Sequence, residues 1–287
     1  MKTGIIDVGS NSVRLALTAD GKTLYKRLAT TRLGEGLSLS GKILPAAAER
    51  TARAVADFKL EAERDGAERV LCFATAAVRS AVNGAIFTDE VYRLCGLKVD
   101  VISGEEEALA GLYGALKGGD GGIIDVGGAS TEVTVRTGGE IVFSQSVNIG
   151  TVRLLDLAGR DAEKLAAVIN EKISEYGKFD ASALDMYAIG GTATRLAAVR
   201  HGLREYRPEI TDGTVVTRRE VLDTADRLLS MSVEEIRATT ICTKSADVVG
   251  GGCLLLGKVM EKFNISKITV SESDNLEGYL MLKGGAL

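Results

Sequence analysis

An internal duplication limits the folds open to this chain more than any other property of its sequence. The hexapeptide GIIDVG occurs at residues 4–9 and again at residues 122–127, an offset of 118 residues (122 minus 4). Each copy is followed by small or hydroxyl residues and then by a second strand-like run, VRLAL after the first and EVTV after the second. A strand, a Gly/Ser turn and another strand therefore recur, which predicts two copies of one mixed α/β domain.

The rest of the pattern supports two domains, which we place at residues 1–118 and 119–287. The glycine-rich segment at 117–121 is the expected boundary, and 287 residues is a suitable length for two domains. Helical and strand-like segments alternate in each half, including a helix from Pro45 to about residue 65, a buried strand at 69–74 and a strand at 140–147. With 34 glycines but only two prolines, the glycines indicate particular backbone sites rather than linkers.

Both repeated turns have the composition of an oxyanion site. An apolar strand ending in an aspartate is followed by backbone N–H groups and hydroxyls that can donate to phosphate. Asp7 and Asp125 cannot face phosphate directly, so a divalent cation or ordered water must lie between them. Two such turns facing each other in a cleft would hold a phosphate chain, whereas either turn alone could be a plain hairpin. The candidate phosphate-binding residues are Asp7, Ser10, Asn11, Ser12, Gly127, Gly128, Ser130 and Thr131.

Three consecutive glutamates begin a predicted helix after the strand KVDVI, and one of them is unusual. Ser103 and Glu106 form a capping box, and Glu105 suits the helix dipole. Glu107 stands at the fourth helical position, where an apolar residue would pack against Ile102. It is either a solvated charge or a functional carboxylate.

Three further groups are candidate site residues with ordinary alternatives. Arg79 begins a helix after the buried strand, at the sheet edge where α/β proteins bind ligands, and its planar guanidinium suits phosphate; it could equally be an exposed helix arginine. Glu132 could hold Mg²⁺ together with Asp125, or pair with a basic residue on a neighbouring strand. Gly190, Gly191 and Thr192 form a strand-to-helix turn that a ligand could approach closely.

Composition excludes several classes of function. The single histidine rules out multi-histidine metal sites and makes a histidine-based triad improbable, and the net charge of −4 argues against a general binder of nucleic acids or acidic membranes. The four cysteines form no CxxC pair, which favours reduced thiols. We find no leader-like start and no apolar run of membrane-spanning length, so we expect a cytoplasmic protein.

The ordered set of motifs resembles one family. These motifs are IIDVGSNSVRL, TRLGEGL, ATAAVRSAVNG, VISGEEEA, IIDVGGASTE, AIGGTAT, SADVVGGG and ITVSESDNLEGYL. Together they resemble the exopolyphosphatase/guanosine pentaphosphate phosphohydrolase (Ppx/GppA) family, in its short two-domain form. The resemblance implies duplicated actin/Hsp70/sugar-kinase-like (ribonuclease H-like) domains with an interdomain cleft.

The resemblance also implies a chemistry. The family removes the terminal phosphate from a linear phosphate chain, with Mg²⁺ or Mn²⁺, and takes part in the stringent response. Glu107 matches its catalytic base, Arg79 a catalytic and phosphate-contacting arginine, and Asp125 and Glu132 the metal-holding acids. Asn11, Gly127 and Ser130 match further phosphate contacts, and a homodimer is expected by analogy.

Some positions depart from the family pattern and keep alternatives open. The usual GGGST turn is GGAST, with Ala129 in place of glycine, and arginines common in the family are replaced by Ser245 and Leu276. We therefore expect exopolyphosphatase activity, with pppGpp hydrolysis as the alternative substrate choice. A small-molecule kinase of the same superfold is disfavoured by Glu107. A low-turnover polyphosphate or nucleotide sensor is the alternative of another class. Low aromatic content favours inorganic polyphosphate over a nucleotide.

Overall fold

The computed structural model describes residues 1–20 and 22–284. The strands are β1 (Lys2–Val8), β2 (Ser12–Ala19), β3 (Lys22–Thr30), β4 (Arg69–Ala74), β5 (Asp100–Val101), β6 (Gly121–Val126), β7 (Thr131–Thr137), β8 (Glu140–Val147), β9 (Met186–Ile189), β10 (Val215–Thr217) and β11 (Lys267–Val270). The helices are α1 (Leu37–Ser40), α2 (Pro45–Arg64), α3 (Ala76–Ser80), α4 (Gly84–Cys95), α5 (Gly104–Leu116), α6 (Thr151–Ala158), α7 (Ala162–Ile173), α8 (Gly190–Arg200), α9 (Pro208–Thr211), α10 (Arg218–Ser230), α11 (Val233–Thr239), α12 (Val249–Lys262) and α13 (Asn275–Leu282).

The two halves share one sheet topology over five strands, and the second sheet has β10 as a sixth strand. In the first sheet the strand order is β3-β2-β1-β4-β5, and in the second it is β8-β7-β6-β9-β11-β10. Each sheet begins with an antiparallel meander whose first strand, β1 or β6, also pairs in parallel with a later strand, β4 or β9. The duplicated α/β fold predicted from the sequence is confirmed.

The duplication extends to individual main-chain hydrogen bonds. In the first turn the N–H of Gly9 donates to the carbonyl of Ser12, and in the second the N–H of Gly127 donates to the carbonyl of Ser130, both over 3.0 Å. The turns are also supported from outside in the same way. Gly34 donates to the Ser10 carbonyl and Val152 to the Gly128 carbonyl, both over 2.8 Å, and these two accepting carbonyls are again 118 residues apart (128 minus 10). The backbone of the turn is therefore repeated together with its support.

The chain divides into two compact units, Met1–Gly114 with the C-terminal segment from Asn275, and Ala115–Asp274. The predicted division at 118/119 instead assigned the C-terminal helix α13 to the second domain. In the structure Leu276, Tyr279 and Leu280 share a core cluster with Phe73 of β4, and the Tyr279 ring stacks on Phe73 at a centroid distance of 4.3 Å. The apolar pattern of α13 predicts burial but does not identify the sheet on which the helix packs.

The predicted elements differ from the observed ones mainly at sheet edges. The predicted strand at 98–102 is only Asp100–Val101. The edge strands β3 and β10 were not predicted, and much of β3 is exposed or half-buried, so its sequence lacks the apolar run of a buried strand. In the part of the chain that the structure describes, no helix combines the length and apolarity needed to cross a membrane.

Candidate active site

Glu107 differs in burial from the other two glutamates at the start of α5. Its two acidic neighbours are exposed, whereas Glu107 is 7% exposed. The predicted capping box is present, because Glu106 accepts from the Ser103 N–H (2.8 Å) and donates its own N–H to the Ser103 hydroxyl (3.1 Å). Glu106 therefore has a structural role at the helix start. Glu107 is buried at the same helix start and is not needed for the cap.

Arg79 meets Glu107 directly. One nitrogen of its guanidinium, Nη1, donates to Glu107 Oε2 over 3.0 Å and to the Ile102 carbonyl over 2.8 Å. Arg79 lies in α3, directly after the carboxyl end of β4, so two residues predicted separately come together although 28 positions apart. The ion pair fixes the carboxylate, and the remaining guanidinium N–H groups are donors suited to phosphate.

The first turn, residues 8–12, links β1 to β2 and is firmly supported. Ser10 is buried, and Asn11 and Ser12 are half-buried. The carbonyl of Asn11 accepts from the N–H groups of Thr31 and Arg32, over 3.1 and 2.9 Å. The segment TRLG at 31–34 thus holds the turn in place from behind, which is what a preformed anion cradle requires.

Asp7, predicted as a phosphate-site residue, is held in an ion pair. Its Oδ2 accepts from Arg14 Nε over 2.9 Å and from Arg14 Nη2 over 2.5 Å. The two residues oppose each other in register on β1 and β2, and the Asp7 side chain is buried. Because the guanidinium neutralises this carboxylate, Asp7 fits poorly as a ligand of a cation at the first turn.

The second turn, residues 126–131, links β6 to β7 and joins the start of α6. Thr151 donates its N–H to the Gly127 carbonyl (2.9 Å). The φ angle of Ala129 is not positive, so alanine can stand in place of the family's glycine without backbone strain. Thr131 is fully buried and its hydroxyl donates to the Ile149 carbonyl over 2.6 Å, so this side chain is engaged inside the protein. Gly127 and Gly128 are half-buried and Ser130 is buried.

Asp125 and Glu132 form a pair of buried carboxylates beside the second turn. They oppose each other in register on β6 and β7, and their exposed fractions are 8% and 1%. Ser146 on β8 donates its hydroxyl to Glu132 Oε1 over 2.6 Å, which orients that carboxylate. Two carboxylate oxygen donors suit Mg²⁺, which commonly takes one or two protein carboxylates and completes its shell with water and substrate phosphate. The residues present therefore fit the predicted metal.

The start of α8 lies against this pair. Gly190 has φ of 77°, and a Cβ there would come within 2.6 Å of Asp125 Oδ1. Thr192 is buried and its hydroxyl donates to the Val126 carbonyl over 2.9 Å. Gly191 lies between them and is half-buried. The sequence predicted that a ligand could approach residues 190–192 closely, and in the structure it is the Asp125 carboxylate that lies close to the backbone of Gly190.

Sequence reasoning missed Arg153, which contacts the second turn. Its Nε donates to the Ala129 carbonyl over 3.0 Å and its backbone N–H donates to the Gly128 carbonyl over 3.1 Å. The sequence offers little to identify Arg153 as a site residue except its position three residues after Gly150. Its contact with the turn arises from the folding of the chain and cannot be inferred from that position.

The substituted family positions have structural explanations. Leu276 is completely buried in the core cluster that contains Phe73, so the position holds an apolar side chain where the family often has arginine. Ser245 is buried as well, and its carbonyl accepts from Val248 and Val249. Neither position supplies a positive charge to the site.

The chain is similar to curated proteins of two names. Exopolyphosphatase 2 of Mycobacterium tuberculosis is 29% identical, and the match covers 99% of each chain. A guanosine-5'-triphosphate,3'-diphosphate pyrophosphatase of Photobacterium profundum is 28% identical over 95% of this chain and 57% of its own length. The chain spans about half the length of several curated relatives.

A solved structure and a family model also match this chain. The crystal structure of an exopolyphosphatase-like protein superimposes with a TM-score of 0.89 at 27% identity, covering 99% of this chain and 97% of the other. The model of the Ppx/GppA phosphatase family matches residues 16–283. That match takes in nearly the whole sequence, and the chain therefore belongs to the Ppx/GppA phosphatase family.

Proposed function

We propose that this protein is an exopolyphosphatase, a Mg²⁺-dependent hydrolase that removes the terminal phosphate of inorganic polyphosphate. The observation that carries the proposal is the buried Glu107 carboxylate, fixed by Arg79 at the carboxyl edge of the first sheet. Because Glu106 already supplies the helix cap, Glu107 is available for another role, and its fixed position suits a general base that must be held within reach of a proton.

In the proposed reaction Glu107 orients a water molecule and takes its proton as the water oxygen attacks the terminal phosphorus. The P–O–P bond breaks, and its electron pair stays with the shortened phosphate chain. Arg79 stabilises the negative charge of the phosphoryl oxygens with its remaining N–H groups. Within each turn, backbone and hydroxyl donors bind phosphate oxygens, with Asn11 and Ser12 foremost in the first turn and Gly128 and Ser130 foremost in the second.

Asp125 and Glu132 would hold the metal. When bound, Mg²⁺ would neutralise phosphate charge and polarise the phosphoryl group. The contrast with Asp7 supports this assignment, because the residue opposite the aspartate in strand register is Arg14 in the first half and a second acid, Glu132, in the second half. Mn²⁺ has similar ligand preferences and is the alternative ion.

Inorganic polyphosphate is the preferred substrate in this proposal. The relative that matches over almost its whole length is named an exopolyphosphatase, whereas the relative named a guanosine pyrophosphatase is much longer than this chain. Guanosine pentaphosphate is the second candidate, because the same phosphate-chain chemistry would serve it. Binding without turnover would indicate a sensor instead.

The experiment compares Glu107→Gln with Glu106→Gln. We expect Glu107→Gln to bind tripolyphosphate but to release phosphate at least ~10²-fold more slowly, because the amide cannot accept the proton. Glu106→Gln is the matched control, since glutamine also serves in a capping box and its activity should be unchanged. Phosphate release is measured with Mg²⁺ and with EDTA, on short polyphosphate, long polyphosphate and guanosine pentaphosphate. Equal turnover in both variants would remove Glu107 from its role.

A further inference from the structure

We propose that Arg153 is a phosphate-binding residue of the second turn, where its guanidinium binds non-bridging oxygens of the phosphate chain. This inference rests on the proposed function and assigns to the site a charged side chain that its motifs do not contain. It follows from three properties of Arg153: its anchoring, its burial and its unused donors.

The guanidinium is fixed against the turn. Arg153 belongs to the first turn of α6, and its backbone N–H and its Nε each donate to a carbonyl of the second turn, Gly128 and Ala129. Gly150, just before the helix, allows this close approach, because a Cβ there would lie 2.5 Å from the Gly128 carbonyl carbon. The long arginine side chain has therefore lost much of its rotational freedom before any ligand arrives, which reduces the entropy cost of binding.

The charge lies in a half-buried position. Burial lowers the pKa of Arg153, and the nearby carboxylate of Asp156 raises it in partial compensation. A guanidinium stays protonated in proteins, so a partly desolvated one gains when an anion binds beside it.

Most of the donors of Arg153 remain unused. Within residues 1–20 and 22–284, its terminal Nη1 and Nη2 groups have no hydrogen-bond partner, while Nε is occupied by Ala129. The terminal amino groups of a guanidinium match the spacing of phosphate oxygens, and such charge-assisted bonds are among the stronger ones. An arginine with only a structural role would instead use these groups on carbonyls, as Arg160 does with the carbonyls of Leu228 and Met231, both over 2.7 Å.

The test measures tripolyphosphate binding by calorimetry, with Mg²⁺, in the Glu107→Gln background so that turnover does not interfere. We expect adding Arg153→Gln to weaken the Kd at least ~10-fold, because a charge-assisted bond is lost. Adding Arg153→Lys should restore part of the affinity, since it keeps the charge but not the two-pronged geometry. Arg160→Gln is the matched control: it removes an arginine that holds carbonyls in the same unit, so it should lower the melting temperature and leave the Kd unchanged.

The outcomes separate the two proposals. If the parent protein binds tripolyphosphate and Arg153→Gln binds it equally well, Arg153 has only a structural role and the inference is wrong. If Arg153→Gln fails to fold, the lysine variant decides, and a Kd equal to that of the parent would overturn the inference. If the parent itself binds no tripolyphosphate, the proposed function fails, and the inference fails with it.

Discussion

At the scale of single residues, Gly190 occupies a position that no side chain can share. Its φ of 77° is costly for any other residue, and an added Cβ would meet Asp125 Oδ1 at 2.6 Å. Gly202 has a similar φ of 65° but open space around it, because a Cβ added there would have no neighbouring atom within 4 Å. Alanine at Gly202 therefore tests backbone strain alone, whereas alanine at Gly190 tests backbone strain together with displacement of the Asp125 carboxylate.

We predict that Gly190→Ala displaces Asp125 and weakens metal binding. Both Gly190→Ala and Gly202→Ala should lose about 1–2 kcal/mol of unfolding free energy through the left-handed backbone. Only Gly190→Ala should also raise, by ~10-fold or more, the Mg²⁺ concentration for half-maximal phosphate release, which corresponds to about 1.4 kcal/mol of lost binding energy. Urea unfolding and a Mg²⁺ titration of activity provide the two measurements. An unchanged Mg²⁺ requirement would mean that Asp125 does not hold the ion.

Residue types and positions predicted part of this site. Glu107 stood out because a carboxylate replaced an expected apolar residue, and its burial agrees with that interpretation. Its ion pair with Arg79 could not be predicted, because only the packing of α3 beside the start of α5 brings the side chains together. Arg14 was not predicted either, since a strand arginine on one face of a hairpin resembles a solvated charge.

At the scale of elements, the contact between α13 and α5 is made by backbone. A Cβ at Gly278 would lie only 1.6 Å from the Ala110 carbonyl oxygen, so the helices approach closer there than any side chain allows. Beside this contact, Glu277 accepts from Lys26 Nζ (2.9 Å) and from the Thr23 hydroxyl (2.8 Å) of β3. The missing side chain at Gly278 thus allows α13 to pack closely on α5 within the first unit.

We expect Gly278→Ala to separate α13 from α5 and to cost about 3 kcal/mol of unfolding free energy, at the upper end of typical overpacking penalties. Gly251→Ala, in α12, is the control, because a Cβ there would meet Leu165 at an ordinary 3.6 Å. That change should be neutral or stabilise by up to ~1 kcal/mol through helix propensity. Guanidinium unfolding of both variants measures the difference, and equal stabilities would contradict the close contact.

Elements with strong periodicity or clear end signals were predicted well. The predicted helix starting at Pro45 is observed as Pro45–Arg64, and the predicted strands at 69–74 and 140–147 are observed with the same bounds. Short edge elements such as β10, with three residues, carry too few positions for a pattern to appear.

At the scale of the whole molecule, tyrosines with raised pKa values lead us to expect that stability depends on alkaline pH. Burial, with a hydrogen bond to Asp65, raises the pKa of Tyr25 to about 12. Burial, together with Asp100, raises the pKa of Tyr279, and burial raises the pKa of Tyr176 well above its usual value. The folded state therefore favours the protonated phenols, and this stability is complete below about pH 10, where unfolded tyrosines begin to ionise.

We predict that the unfolding free energy declines as pH rises above about 10. Tyr279→Phe should make that decline shallower, because one phenol with a raised pKa is gone. Tyr92→Phe, at a 54% exposed position, is the control and should leave the slope unchanged. Urea unfolding at a series of pH values from about 8 to about 11.5 measures the slopes. A decline equally steep in Tyr279→Phe and in the parent would show that Tyr279 does not contribute.

The two-domain organisation was predictable because the same hexapeptide, GIIDVG, occurs in both halves of the sequence. The extent of the first unit was not, because the chain returns to it with α13 after completing the second. Only the packing of Leu276 and Tyr279 on the first sheet decides that assignment, and such a long-range choice leaves no local pattern in the sequence.

Arg14 and Glu132 occupy equivalent positions in the two halves, opposite the aspartate of each repeat. The two halves have the same main-chain bonds in their turns, while the charge opposite the aspartate is positive in the first half and negative in the second. The halves are thus no longer interchangeable parts. A chain built by repeating the first half would keep both turns but would have an aspartate–arginine pair in each, so the two neighbouring carboxylates depend on one side chain rather than on a different fold.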